Sequence, residues 1–309
     1  MSSPVLIVGS IALDSVETPF GKVDNAIGGA GVYAATSASL FAPVRLVGVI
    51  GDDFPQGALD DLAGRGVDLG GVAKIPGGKT FRWAGSYEYA MSEAQTHDTQ
   101  LNVFGEFNPV LPEGWGETRY VFLANILPSV QSAVLDQVSG ACFVMCDTMN
   151  LWIQTTRDDL LKVLGRVDLA LMNDAEVRQL TGTPNLAKAA QQILDMGPKY
   201  VVIKKGEYGA SLVSREGHFS LPCYPLPTVV DPTGAGDSFA GGLIGYLASC
   251  DVCGEPDLRR AMAIGTLMAS ACVEEFSLAG LRSMTTERVA QRYGDLRRMV
   301  HFEELGKVG

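Results

Sequence analysis

The sequence predicts an α/β fold: a mainly parallel central sheet with helices on both faces and a small β element beside it. Three observations carry that prediction. Short β-branched apolar runs alternate with helix-like segments over the first two thirds of the chain; residues 79–107 break this rhythm with alternating aromatics; and the last third reads as almost entirely helical. A βαβα rhythm implies parallel strands joined by crossover helices, and such a sheet is buried on both faces.

The expected strands are VLIVG (5–9), VRLVGVI (44–50), YVFLAN (120–125), CFVMCD (142–147), DLALMN (168–173) and YVVIKKG (200–206). Each is apolar along its length and flanked by polar residues or Gly, as a strand covered on both faces should be. Helices are expected at GGAGVYAATSASLF, which starts on a Gly pair, and at FPQGALDDLAGRG, which ends in glycines. In NDAEVRQLTG, Asn173 or Asp174 can cap a helix with acids in its first turn. NLAKAAQQILDMG closes on Gly197. Between 79 and 107, Phe81, Trp83, Tyr87 and Tyr89 alternate, the polar stretch SEAQTHDTQ intervenes and LNVFGEF follows, which reads as two strands outside the main sheet. They form either a lid over a site at the strand ends or an ordinary edge hairpin. The helical last third has two segments rich in Gly, Ala and Met, suited to close packing.

Composition narrows the function. The chain has 309 residues, 47% hydrophobic and 19% charged, with a formal net charge of −11. That is a folded globular protein. Its charge argues against nucleic acid or an anionic membrane as partner while leaving room for a small anionic ligand at a local site. No stretch is long and apolar enough to cross a membrane, and MSSPVLIVGS lacks the features of a signal peptide, so a cytoplasmic enzyme or binding protein is expected. Six cysteines (Cys142, Cys146, Cys223, Cys250, Cys253 and Cys272) read mostly as reduced core residues, and a single CxxC without a nearby His is a weak zinc signal.

The chemistry concentrates in VVDPTGAGDSFAGG, residues 229–242. Gly234, Ala235 and Gly236 bring backbone close to whatever lies above them and lead straight into a helix. The first amides of a helix lack intrahelical acceptors and suit phosphate oxygens. Asp237 sits within this anion site, an awkward place for a carboxylate unless it takes a proton from a hydroxyl that attacks the phosphate. Taken as a bare GxGD, Asp237 reads as a first-turn acid favoured by the helix dipole; the full stretch is much more specific.

That stretch strongly resembles the C-terminal signature of the ribokinase family, the PfkB-type carbohydrate kinases, and the resemblance extends along essentially the whole chain. IGGAGVYAA (27–35) is similar to the family's Gly-Gly substrate motif, and VRLVGVIGDDFPQGALDDL to its Val-Gly-x-x-Gly-Asp-Asp segment. NDAE (173–176) matches Asn-x-x-Glu, VIKKGEYGA (202–210) resembles the nucleotide-lining strand and turn, and CDTMNLW (146–152) the Asp-x-Asn…Trp stretch of sugar-kinase members. The resemblance implies a single ribokinase-like three-layer sandwich over 1–309, with a β lid inserted at about 75–107. It implies transfer of the ATP γ-phosphate to a hydroxymethyl group of a small sugar, with a nucleoside kinase and a non-catalytic binding protein as alternatives.

The same resemblance implies residue roles. Asp237 is the general base, and Gly234, Ala235, Gly236 and the Asp237 amide form the anion hole. Asn173 and Glu176 organise Mg²⁺ and phosphates through waters, although a cap and a first-turn acid explain the same residues. Thr233, Lys205 and Gly206 approach the ATP, with a solvated strand end the equal alternative for Lys204 or Lys205. K⁺ lies near Asp231, which otherwise opens a turn. Asp14 binds substrate hydroxyls, Gly28 and Gly29 let the substrate approach, and Arg82, Asn102 and Asn125 are further acceptor-side candidates. A homodimer is carried as a partner alongside the small-molecule substrate. Two departures stand out. Ala30 and Tyr33 replace the Lys and Asn of a ribokinase-type motif, which weakens the reading of a ribose or phosphorylated sugar, and the short segment between Asp14 and Gly28 leaves little room for extra lid strands.

Overall fold

In the computed structural model, residues 2–91 and 94–303 are described. The expected span of 1–309 therefore extends beyond the described residues at both ends, and residues 92–93 of the expected lid also lie outside them.

The elements run in chain order as β1 (Val5–Val8), β2 (Ala12–Thr18), β3 (Gly21–Gly28), α1 (Ala30–Ala38), β4 (Val44–Ile50), α2 (Gln56–Gly64), β5 (Val67–Lys74), β6 (Phe81–Tyr87) and β7 (Ala94–Gln100). They continue with β8 (Tyr120–Leu123), α3 (Pro128–Leu135), β9 (Phe143–Asp147), α4 (Asn150–Thr155), α5 (Arg157–Leu164), β10 (Leu169–Asn173), α6 (Asp174–Thr181) and α7 (Leu186–Asp195). After β11 (Tyr200–Lys204), β12 (Ala210–Val213) and β13 (His218–Leu221), the chain ends in α8 (Ala235–Cys250), α9 (Glu255–Cys272), α10 (Ala279–Arg282) and α11 (Thr286–Met299).

A nine-stranded sheet in the order β13-β12-β11-β10-β9-β8-β1-β4-β5 forms the centre. From β11 to β5 every pairing is parallel; β12 and β13 close the other edge antiparallel. Alternate strand residues enter two separate cores, because successive side chains leave a strand on opposite faces. Ile7, Leu46, Phe122 and Met145 join the helices α1, α8 and α9 on one face. Leu6, Val47, Leu123 and Cys146 join α3, α5 and α7 on the other. This is the expected three-layer sandwich. All six cysteines are free, and Cys146 and Cys272 are buried, but Cys250 and Cys253 are exposed, so the core expectation holds for only part of the set.

The small sheet differs from its prediction. It has four strands in the order β3-β2-β6-β7, so residues 12–28 supply half of it, and the segment after Asp14 does hold lid strands. A two-residue connection between β2 and β3 makes this economical. The second strand of the 79–107 region is AQTHDTQ, the polar stretch itself, while Asn102–Glu106 is a 3-10 turn. Every residue of β7 is exposed, so it carries no apolar alternation to read.

Candidate active site

At the carboxyl ends of the parallel strands, beneath the lid, lies a cavity of about 760 Å³. Ligands of open α/β sheets bind in this position, outside the strand ends. Phe81, Trp83 and Tyr87 of β6 form part of its roof, and Asp14, Glu176 and Asp237 are the acids on its wall. Among the described residues lining it, none is Lys, Arg or His.

The signature turn presents backbone amides at the place expected for an anion site. Gly234 has φ +76° and caps α8, whose first turn carries Asp237. The Ala235 N–H is taken by the Pro232 carbonyl at 3.2 Å. Among the described residues, the Gly236 and Asp237 amides have no backbone acceptor outside the turn. These two donors, with Gly234 beside them, are the part of the expected anion hole not taken by another residue, the Asp237 N–H lying against its own carboxylate. Gly234 is dictated by its neighbour as well as by its φ: a Cβ there would fall 2.4 Å from the Tyr33 ring. Tyr33, 2% exposed, is thus a packing support for the turn. Asp231 opens the turn, buried, with its Oδ1 accepting the Thr233 N–H at 2.9 Å. The Thr233 hydroxyl donates to Tyr87 OH at 3.3 Å, which ties the signature loop to the lid.

Beside this site lies a charge cluster that the sequence reading missed. Lys204 Nζ is 2.5 Å from Asp147 Oδ2, and their side chains are 17% and 4% exposed. The same Nζ lies 3.0 Å from where a Gly236 Cβ would be. Burial pulls the Lys204 ammonium down, while Asp147, Glu176 and Asp237 together push it above its ordinary value. Lys204 ends β11 and pairs in register with Asn173 at the end of β10. Asn173 and Glu176 form a full capping box: the Asn173 N–H donates to Glu176 Oε2 at 2.7 Å and the Glu176 N–H to Asn173 Oδ1 at 2.8 Å.

Burial dominates the acids. It pushes Asp237 up to about 7, with Asp147 adding to the rise and Lys204 opposing it. Glu176 is raised to about 7 chiefly by burial, again against Lys204. Asp14, 6% exposed, is raised to about 7 by burial, opposed by the Gly29 N–H and reinforced by Asp231 and Asp237. Three carboxyls in one cavity are therefore poised near neutrality, a pattern typical of sites that move protons.

Asp14 lies within β2, next to a bulge, paired with Trp83 of β6. A Cβ at Gly28 would fall 1.9 Å from Asp14 Oδ2, so only glycine leaves room for this carboxylate. Gly29 and Asn125 both line the cavity. Asn125 Oδ1 accepts the Trp152 indole N–H at 2.8 Å.

Four expected residues stand elsewhere. Arg82 is bound to Asp53 at 2.7 Å and to Asn25, away from the cavity wall. Its side chain leaves β6 on the face opposite to Phe81 and Trp83, which line the cavity, and two acceptors hold it there. Asn102 donates its amide to the Thr80 carbonyl at 2.9 Å and secures the start of β6. Lys205 and the exposed Gly206 begin the turn after β11, where the Lys205 N–H closes on the Gly209 carbonyl. Lys204, the last residue of β11, is the lysine whose ammonium lies beside Gly236. Among the described residues no cluster of three or more His, Cys, Asp or Glu side chains is arranged around a metal site, and no helix is long and apolar enough to cross a membrane.

Comparison with known proteins gives the family and the fold. The family model described as pfkB family carbohydrate kinase matches residues 7–283. A cytidine kinase of Thermococcus kodakarensis is 32% identical over 250 residues, covering 78% of this chain and 88% of the relative. Among solved structures, a nucleoside kinase of Methanocaldococcus jannaschii superposes with TM-score 0.76 at 19% identity, covering 95% of this chain and 98% of the other. A putative ribokinase II of E. coli, in complex with ATP and Mg²⁺, gives TM-score 0.74 at 21% identity, covering 95% and 99%. These likenesses place the fold among the ribokinase-type kinases.

Proposed function

The chain belongs to the pfkB family of carbohydrate kinases, and from that premise we propose that it phosphorylates a neutral nucleoside, with Asp237 as general base on the acceptor hydroxyl. Kinase activity toward a sugar or nucleoside follows from the family; the nucleoside and the residue roles are proposed from the site. One observation carries the choice of acceptor. The cavity joins two acids, Asp14 and Asp237, to aromatic walls from Phe81, Trp83, Tyr87 and Trp152, with no basic side chain among the described residues that line it. A phosphorylated sugar or sugar acid would bring its anion beside carboxylates with no cation to meet it. A ribose with a flat uncharged base suits acids at one end and aromatic faces at the other. The similarity to a cytidine kinase supports the same choice. A neutral sugar is the second reading, since aromatic faces also stack on sugar rings.

In this reading Asp14 accepts hydrogen bonds from acceptor hydroxyls and sets the reacting one toward Asp237. Asp237, held near neutrality by burial, accepts that hydroxyl's proton as its oxygen attacks the terminal phosphate of the bound nucleotide. The Gly236 and Asp237 amides and the Lys204 ammonium face the charge on the transferred group. Asp147 holds Lys204 in place. The donor set fits Mg²⁺: it takes oxygen ligands, keeps several waters and needs only one or two carboxylates, here Glu176 and Asp147. When bound, Mg²⁺ would neutralise phosphate charge. The carry-over of K⁺ near Asp231, a single catalytic unit spanning the chain, a homodimer and cytoplasmic residence belong to the same reading, supported by the resemblance; replacing K⁺ by Na⁺ in the assay tests the first.

The experiment is ADP release from MgATP against ribonucleosides, free sugars, sugar acids and sugar phosphates, with Asp237→Asn as control. Ribonucleoside-dependent ADP that falls at least about 10²-fold in the variant is the expected result. Turnover of a sugar phosphate in preference to every nucleoside would sink the proposal.

A further inference from the structure

Asn125 follows β8 and lines the cavity beside Met149, Leu151 and Trp152, the last on α4. An amide side chain can present either its oxygen or its NH₂ to a ligand, and the choice is set by its other neighbours. Here the neighbour decides. The indole N–H of Trp152 is a donor only, and it meets Asn125 Oδ1 at 2.8 Å. Rotating the amide would set its NH₂ against the indole N–H, two donors face to face. The oxygen is therefore turned to Trp152, and Nδ2 is left with the Met149 sulfur at 3.3 Å. A thioether is a weak acceptor, and among the described residues Nδ2 has no other partner. Trp152 is 7% exposed, so its ring is held by packing and its N–H has a fixed direction.

We infer that Trp152 locks the Asn125 amide with its NH₂ toward the acceptor, so that Asn125 selects a base edge bearing a hydrogen-bond acceptor, a carbonyl oxygen or an unprotonated ring nitrogen. This rests on the nucleoside reading above. The hydroxyls of the acceptor are served by Asp14 and Asp237, which only accept when ionised. Asn125 supplies the opposite polarity, among apolar and aromatic neighbours that suit a flat ring. Besides lending its ring to the cavity wall, Trp152 acts on the base edge through Asn125, and in that role it is a positioning residue. A base with an amino group at this place meets a second donor and is rejected, since a site built around one hydrogen-bond polarity discriminates strongly against the wrong one.

The test uses the full chain, MgATP and the five ribonucleosides cytidine, uridine, adenosine, guanosine and inosine. Trp152→Phe keeps an aromatic ring and removes the N–H. It should raise KM for the preferred ribonucleoside about tenfold, with kcat and the KM for ATP within about twofold. Loss of folding would instead lower kcat for all substrates. Asn125→Asp keeps size and acceptors but removes the donor. It should raise the same KM at least about tenfold, and it decides the polarity should Trp152→Phe fail to fold. An Asn125→Asp enzyme with unchanged nucleoside KM would overturn the proposal, because the side chain would then be accepting. Unchanged KM in a folded Trp152→Phe would overturn the lock while the nucleoside reading stood. Wild-type turnover of free ribose with none of any ribonucleoside would overturn both.

Discussion

The ammonium of Lys204 lies 2.5 Å from the carboxylate of Asp147, a pair buried between the end of β11 and the end of β9, at the edge of the anion site. It lies against Gly236 of the signature turn and faces three acids at once: Asp147, Glu176 and Asp237. Lys204→Met should therefore act on activity and stability together. Asp237 loses a neighbour that lowers its pKa, so the acidic limb of kcat/KM should move to higher pH. The loss of charge stabilisation should cost kcat about 10²-fold. Removing one member of a buried pair leaves the other unpaired, at about 3 kcal/mol. Denaturant unfolding and a pH–rate profile check both; a variant with wild-type kcat and an unmoved limb would remove Lys204 from the site.

The wild-type pH profile follows from Asp237. Burial raises its carboxyl to about 7 from an ordinary 3.8, and only the ionised form can take a proton. The kcat/KM should therefore rise with pH and level off above an apparent pKa near 7. Glu176 and Asp14 titrate in the same range, so the limb reports the group of carboxyls and not one residue. Titration of kcat/KM between pH 5 and pH 9 measures it. A flat profile through this range would mean that no carboxyl in the cavity acts as base.

How much of this was legible depends on whether the signal was local. Six of the seven parallel strands were, because each is a short apolar run; β5, half-exposed and carrying two glycines, was not. A helix cap at Asn173 or Asp174 was, and Asn173 takes it, with Glu176 closing the box within one turn. The signature turn was, since its glycines and Asp237 are contiguous. Other features depend on distant neighbours. Strand β7 has no buried face, so no period of two marks it. That the Lys204 ammonium is held inward is decided by Asp147, far away along the chain. Asp147 itself ends an apolar strand and looks like the residue that stops it. Arg82 looked like a ligand group until Asp53 and Asn25 claimed it.

Asp14 should limit the stability of the empty enzyme above neutral pH. Its folded-state carboxyl is raised to about 7 from 3.8, so between those values the folded protein holds a proton that the unfolded chain has released. Stability then falls as pH rises through this window, and the deficit is complete above about 7. Asp14→Asn keeps an oxygen for the Gly29 N–H and removes the buried charge. It should raise stability at pH 8 by roughly 1–4 kcal/mol and change it little at pH 4. The acceptor KM should rise at the same time, since an amide accepts fewer hydrogen bonds from hydroxyls. Thermal melts at the two pH values give the answer. Equal effects at both would show that Asp14 is not protonated in the fold.

Gly234 and Tyr33 should behave as a coupled pair. Gly234→Ala faces two obstacles: φ +76°, which costs an L residue about 1–2 kcal/mol, and a Cβ 2.4 Å from the Tyr33 ring. The second should add about 1–3 kcal/mol as the ring and turn move apart. Tyr33→Ala alone leaves a cavity in the core and should cost about 3–5 kcal/mol. In that background only the backbone strain of Gly234→Ala persists, so the double variant should be more stable than the sum of the single losses by about 1–3 kcal/mol. Activity separates the two effects further. Gly234→Ala displaces the turn that carries the free Gly236 and Asp237 amides, so its kcat should fall at least about tenfold, with partial recovery once the ring is gone. Strict additivity in a denaturant double-mutant cycle would show that Tyr33 does not support the turn, and the replacement of the family's Asn by Tyr33 would need another explanation.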